Sequence, residues 1–349
     1  MMSPWLFYRT VSESAMANGT ETELFVYEQV VVLCTCVLSL AGSTLIFLTF
    51  VLWSDLRTTP RRLLVYLSVS DWLSAASYAY GVGKVFHSNS LDCVAQGAIS
   101  TFANTSSFFW TVAIAVYLYV FIVKSSQRLA DSLVLSFHLV SWGIPLAITV
   151  TAVSLNKIGY DASEVSVGWC WVRIDTRDRI LWMLLTGKIW EFLAYLTLPV
   201  LYILIKRHIH KAHAALSEYR PILANRPESQ SFSSMADVKL TLIPIIFIFL
   251  RIWSTVRFIL LLADSPVRQN PALVMLHGIG NTSQGAANCI MFVLFTQPIR
   301  TRLCAALCCS SKCGGEPSPS NRDPQRLLPG QDPPSRTQED GTSIAISNT

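Results

Sequence analysis

The chain has 349 residues, of which 52% are hydrophobic and only 14% charged, with a formal net charge of +5. A soluble domain usually carries about 25% charged residues, so a shortfall spread along the whole length excludes an ordinary water-soluble globule and points to lipid as the solvent. Nine Cys and six His occur with no paired CxxC spacing and no HExxH run, so no metal site is proposed; neither a cofactor nor a nucleic-acid partner is expected.

In chain order, residues 1–29 predict a short extracellular segment. Its apolar patch, Trp5-Leu6-Phe7-Tyr8, is shorter than the roughly 7–15 apolar residues of a cleavable signal, so the first membrane span is expected to act as the anchor. Seven segments then reach the length of about 20 apolar residues that a helix needs to cross a bilayer. They run Val30–Trp53, Leu63–Phe86, Cys93–Val123, Leu133–Leu155, Ile180–Ile205, Leu240–Ala263 and Ala272–Thr296. Backbone groups in lipid are satisfied only in helices or closed barrels, and runs this long exclude barrel strands. The expected fold is an all-α membrane protein, a seven-transmembrane bundle over 30–296, followed by an amphipathic juxtamembrane helix over 297–310.

Basic residues give the orientation. Arg57, Arg61 and Arg62, then Lys124 and Arg128, then Lys206, Arg207, Lys211, Arg220, Arg226 and Lys239, then Arg300 and Arg302 all fall on one side, taken as the cytoplasmic side. The loop after span four dissents, with Lys157, Arg173, Arg177 and Arg179. The remaining loops agree, which puts the N-terminus outside, in a plasma membrane. Asn18-Gly19-Thr20 is a glycosylation acceptor on that side; Asn104-Thr105-Ser106 and Asn281-Thr282-Ser283 lie inside spans, out of reach of a transferase.

The connection from Lys206 to Lys239 holds His208, His210 and His213, favoured as a helical extension of span five over a metal cluster. Ser229, Ser231, Ser233 and Ser234 are either phosphorylation sites whose added charge alters contact with a cytosolic partner or part of a plain linker. After span seven, Ile299, Leu303 and Leu307 recur at four-residue spacing with Arg300 and Arg302 off that line, the pattern of a helix lying on membrane lipid. Cys304, Cys308, Cys309 and Cys313 on or beside it are candidates for palmitoylation, the alternative being free thiols. Residues 311–349, rich in Ser, Pro, Gly, Gln and Asp, read as a disordered cytoplasmic tail.

Cys93 and Cys170 both fall on the oxidising side, where a disulfide persists, and their bridge would pin the loop after span four over the bundle. Ionisable groups inside spans are costly and usually functional. Asp71, in span two, is either a switch that binds a cation or proton or a static anchor to Asn281, Asn288 or nearby Ser residues. Lys84, Asn104, Lys188, Glu191, Arg251, Arg257 and His277 lie in the middle or outer half of the spans. Lys188 and Glu191 have the spacing to pair on one helix face. A pocket with excess basic groups suits a small anionic ligand; the competing reading is internal ion pairing with no ligand role. Pro145, Pro199 and Pro244 bend spans four, five and six, as hinges or as fixed bends.

Local signatures carry a resemblance. Ser141-Trp142-Gly143-Ile144-Pro145, Phe109-Trp110 with Tyr117-Leu118, Cys170-Trp171, Leu242-Ile243-Pro244 and Gln284-Gly285 resemble motifs of secretin-like receptors in five places across the bundle. The segments Ser100–Ala115, Lys157–Ser163 and Ala214–Leu223 are similar to a small group bridging secretin-like and cyclic-AMP chemoattractant receptors. The chain departs from the secretin-like pattern in its short, cysteine-free outer segment, which argues against peptide-hormone capture. Ile114 also replaces the acidic residue expected after Trp110. The resemblance implies a G-protein-coupled receptor with a heterotrimeric G protein as partner, an extracellular ligand it does not identify, and no enzymatic activity. A transporter or channel is the alternative; that class often shows internal repeats, and no second half here resembles the first. A membrane enzyme would need clustered catalytic groups, whereas Asp71 and Glu191 lie at different depths.

Overall fold

The computed structural model describes residues 26–84, 86, 88–218, 228–294 and 296–310. The segment with Asn18, the tail over 311–349 with Cys313, and the side chains of Cys308, Cys309, Ser229, Ser231, Ser233 and Ser234 lie outside the described residues.

The helices follow in order. They are α1 (Val26–Leu52), α2 (Thr59–Gly83), α3 (Leu91–Val123), α4 (Gln127–Ser154), α5 (Arg179–Met183, continuing over Ile189–Glu218), α6 (Glu228–Leu262), α7 (Pro271–Thr282, resuming over Gln284–Cys289) and α8 (Gln297–Ser310). Their starts follow local chemistry. Pro60 stands in the first turn of α2 and Pro271 opens α7, where a missing N–H costs nothing. The N–H of Cys93 donates to Ser90 Oγ at 3.2 Å, and that of Ala272 to Asn270 Oδ1 at 3.0 Å, capping α3 and α7.

Among the described residues, five helices, α1, α3, α4, α5 and the part of α6 from Pro244, are long and apolar enough to cross a membrane. α2 falls short because Arg61, Arg62, Asp71 and a run of Ser dilute it. The seventh span, expected as one run over Ala272–Thr296, is instead broken at Ser283. One-residue widenings of the helix, π turns, occur at Leu139–Gly143 in α4, Leu184–Lys188 in α5 and Ile290–Leu294 after α7; the apolar pattern carries no sign of them. α5 runs on past Ile205 through Lys206, His208 and His210 to Glu218.

Between helices in lipid there is little hydrophobic drive, so small residues and polar contacts hold the bundle. A Cβ on Gly280 of α7 would stand 1.9 Å from the Leu250 carbonyl oxygen of α6. At Gly285 the backbone N–H donates to Ser39 Oγ of α1 at 2.9 Å. Toward the α8 end, Trp110, Tyr117, Leu63, Leu67 and Val293 form a core that includes the fully buried Ile299 of α8. Arg302 bridges Asp55 of the α1–α2 turn at 2.6 Å.

The α4–α5 loop forms two short antiparallel strands unforeseen in the sequence, β1 (Ile158–Gly159) and β2 (Trp171–Val172), with Ile158 opposite Val172. The Cys93–Cys170 disulfide ties the residue before β2 to the first turn of α3, with the Cα atoms 5.6 Å apart.

Candidate functional site

Beneath the α4–α5 loop lies a polar cavity of about 40 Å³. Its walls come from Ser100, Thr101 and Asn104 of α3, Lys188 and Glu191 of α5, Ser254 of α6, and His277 and Asn281 of α7. Val165, Ser166, Trp169 and Trp171 of the loop roof it over. The π turn Leu184–Lys188 ends on Lys188, and widened turns of this kind are frequent at functional sites. Lys188 Nζ donates to Glu191 Oε2 at 2.9 Å and to Ser254 Oγ at 2.5 Å. The second Glu191 oxygen accepts from Tyr195 Oη at 2.7 Å and Thr255 Oγ1 at 2.5 Å. Among the described residues the buried Thr101 Oγ1 and Asn104 Oδ1 have no hydrogen-bond partner, so the cavity offers free polar groups beside the ion pair.

Three of the sequence candidates do not line this cavity. Lys84, at the end of α2, is exposed and pairs with Asp92, because its long stem carries the ammonium out of the bundle. Arg251 is buried deeper, 4.7 Å over the Phe108 ring, with Nη1 3.4 Å from Asn281 Oδ1. No carboxylate pairs with it among the described residues. Arg257 is spent on backbone carbonyls. Its Nη1 donates to Val165 O and Ser166 O, both at 2.9 Å, and meets His277 Nδ1 at 3.0 Å. Its Nη2 reaches Ser163 O at 3.4 Å and Glu164 O at 3.3 Å, and Nε reaches Arg268 O at 3.0 Å.

The loop is cinched a second time by Asp161. This buried carboxylate accepts from Ser163 N at 3.2 Å, Ser166 N at 3.1 Å and Ser166 Oγ at 2.6 Å. Burial pushes its carboxyl above the usual range, against those hydrogen bonds and the Arg179 charge. At Glu164 burial also raises, but the hydrogen bonds and charges of Arg179 and Arg268 outweigh it and hold the carboxyl below its usual range.

Midway through the bundle, Asp71 joins three helices. Ser107 Oγ of α3 donates to its Oδ1 at 2.6 Å and Asn288 Nδ2 of α7 to its Oδ2 at 2.7 Å. Asn281, the other Asn considered for this role, instead meets His277 Nε2 at 3.0 Å. Sequence reasoning passed over Ser107, Ser254, Thr255 and Tyr195, whose residue types are common in spans. It also passed over Glu28, a buried carboxylate in the first turn of α1; a charge at the head of an apolar run was the signal available. Cys304 is an exposed free thiol.

The profile of the 7 transmembrane receptor (Secretin family) matches residues 25–267. The chain is 59% identical over 308 residues to G-protein coupled receptor 157 of Mus musculus, covering 88% of this chain and 93% of that protein. It is 63% identical over 290 residues to G-protein coupled receptor 157 of Rattus norvegicus, 82% and 88% of the two chains. The protein of that name in Homo sapiens is 62% identical over 283 residues, 81% and 84% of the two chains. A helical transmembrane bundle with this match along most of its length belongs to the secretin family of seven-transmembrane receptors, and the chain is a G-protein-coupled receptor.

Proposed function

We propose that the receptor takes a small polar ligand into the cavity under the α4–α5 loop and relays its arrival to a heterotrimeric G protein through rearrangement of the helices. The observation that carries this reading is the buried Lys188–Glu191 pair facing a cavity with unsatisfied Thr101 and Asn104. Ligand sites pair an enclosed space with a few convergent polar groups. The basic excess counted along the spans does not reach the cavity, since Lys84 and Arg257 are engaged elsewhere. Lys188 lines the cavity, and in this reading an acidic group on the ligand competes with Glu191 for its ammonium.

The N-terminus and the disulfide-bearing end face the outside in this reading, at the plasma membrane or a projection of it such as a cilium. The Cys93–Cys170 bridge needs an oxidising compartment, and Arg57, Arg61, Arg62, Arg300 and Arg302 gather at the other end, as the positive-inside rule requires. Asn18 would then carry a glycan, Cys304 and its neighbours acyl chains, and the α5–α6 connection phosphates that change G-protein or arrestin contact. Asp71, holding α3 and α7 through Ser107 and Asn288, is assigned the anchor role. No enzymatic step is proposed.

The test uses the purified full-length receptor in lipid nanodiscs with a panel of purified G proteins. Accelerated nucleotide exchange on at least one of them is expected. Solute flux through receptor liposomes without any exchange would overturn the reading in favour of a transporter.

A further inference from the structure

Among the described side chains of α6, Arg257 is the one that hydrogen-bonds the roof of the cavity. Its guanidinium, with five N–H donors in a rigid fork, reaches four successive carbonyls of the α4–α5 loop, Ser163 to Ser166, together with the Arg268 carbonyl in the α6–α7 turn. His277 of α7 meets the same guanidinium and sets its ring edge-on to Trp169, with centroids 5.7 Å apart. One side chain thus ties together α6, α7, the α4–α5 loop and the α6–α7 turn. Its acceptors are carbonyl dipoles, so parting from them strands no carboxylate, but the buried guanidinium must then find water or ligand acceptors in the opened cavity.

Two of the residues concerned have a double role. Val165 and Ser166 line the cavity, and their carbonyls are the 2.9 Å acceptors of Arg257. The space, about 40 Å³, holds about two or three waters, far below the roughly 300 Å³ or more of a pocket for an organic ligand. An organic ligand that makes room on the loop side lifts Val165 and Ser166, and lifting them pulls their carbonyls off Arg257. The loop is otherwise well seated. Val165 packs with Met183 and Phe258, and Val167 and Trp169 with Val32, Tyr78 and Val274. Arg257 sits roughly 20 Å along α6 from Pro244, the residue at which α6 lacks a backbone hydrogen bond.

We propose that Arg257 is a positioning residue that clasps the α4–α5 loop shut over the cavity and couples its opening to α6. The closed clasp holds α6 in its resting setting, and a ligand that displaces Val165 and Ser166 releases it. This rests on the cavity being the ligand site of a G-protein-coupled receptor.

The test uses full-length receptor carrying Ser100→Cys in the cavity wall, with native Arg257, Arg257→Lys or Arg257→Gln. Receptor without Ser100→Cys corrects for native thiols. The readouts are the labelling rate by a charged, membrane-impermeant thiol reagent and ligand-free nucleotide exchange, both per folded receptor judged by thermal unfolding. With Arg257→Gln, labelling is expected to rise about tenfold or more and ligand-free exchange severalfold, with Arg257→Lys between the two. A purely structural role would lower the folded fraction without changing either rate per folded molecule. Unchanged labelling overturns the clasp, and faster labelling with unchanged exchange overturns its coupling to α6. If Arg257→Gln does not fold, Arg257→Lys decides by the same two readouts. Absence of exchange by the native receptor on every G protein is a failure of the receptor reading, while the labelling rates still decide the clasp.

Discussion

Lys188 and Glu191, one turn apart on α5, form an ion pair of 2.9 Å with both side chains buried. The pair survives burial because its neighbours complete it. Ser254 takes a second ammonium proton, and Tyr195 and Thr255 donate to the other carboxylate oxygen. Removing one member strands the other, which costs about 3–5 kcal/mol, whereas replacing both by apolar groups is often neutral. Lys188→Met and Glu191→Met should each lower the thermal midpoint strongly in nanodiscs, and the double variant should recover much of the loss. Additive losses in the double variant would show that the two are energetically independent.

Asp71 gives a second coupled pair across helices. Its Oδ2 accepts from Asn288 Nδ2, so Asp71→Asn replaces a carboxylate acceptor by an amide and loses a charged hydrogen bond, worth about 1.5–3 kcal/mol. The reciprocal exchange, Asp71→Asn with Asn288→Asp, restores one carboxylate and one amide at the same place. The double variant should unfold closer to the native temperature than Asp71→Asn does. Equal instability of the two would assign the role to Ser107 and leave α7 out of the anchor.

How much of this was legible follows the range of each interaction. The Lys188–Glu191 pair was readable because helical spacing alone brings the two side chains together. The secretin-like motifs were readable because they sit at fixed distances along spans. Arg257 was recognised as a costly intramembrane charge, but its partners are main-chain carbonyls some ninety residues earlier, |i−j| = 92 for Val165, and carbonyls have no sequence signature. Choosing Asn288 over Asn281 as the partner of Asp71 needs the relative rotation of α2 and α7, which the break at Ser283 resets. The π turn that precedes Glu191 leaves the apolar pattern intact.

The α4–α5 loop should show an acid response set by Glu164. The Arg179 and Arg268 partners hold this carboxyl below its usual range despite burial. A lowered folded-state value means that its contribution is fully present above the unfolded value, ordinarily about 4.3, and is lost as pH falls through the folded value. Asp161 is shifted the other way by burial, so its linkage favours the folded loop as pH falls and partly offsets the loss. The gap in thermal midpoint between native receptor and Glu164→Gln should therefore be constant from about pH 6 to 8 and close below about pH 4. A gap that closes already between pH 6 and 7 would mean that another group governs the loop.

Gly280 tests the closeness of α6 and α7. An alanine Cβ there would lie 1.9 Å from Leu250 O and 3.5 Å from Trp253 Cδ1. The first neighbour is backbone and cannot rotate aside, so the helices must part. Overpacking of this kind costs about 1–3 kcal/mol, more than the gain of up to about 1 kcal/mol that alanine brings to a helix, and the net sign is destabilising. Gly83, at the end of α2, has nothing within 4 Å of an added Cβ, and Gly83→Ala should be neutral or stabilise by about 0.4–1 kcal/mol. Thermal unfolding of the two variants side by side separates packing from propensity. If Gly280→Ala unfolds no earlier than the native receptor, α6 and α7 do not approach this closely, and the Arg257–His277 contact one turn nearer the loops loses its frame as well.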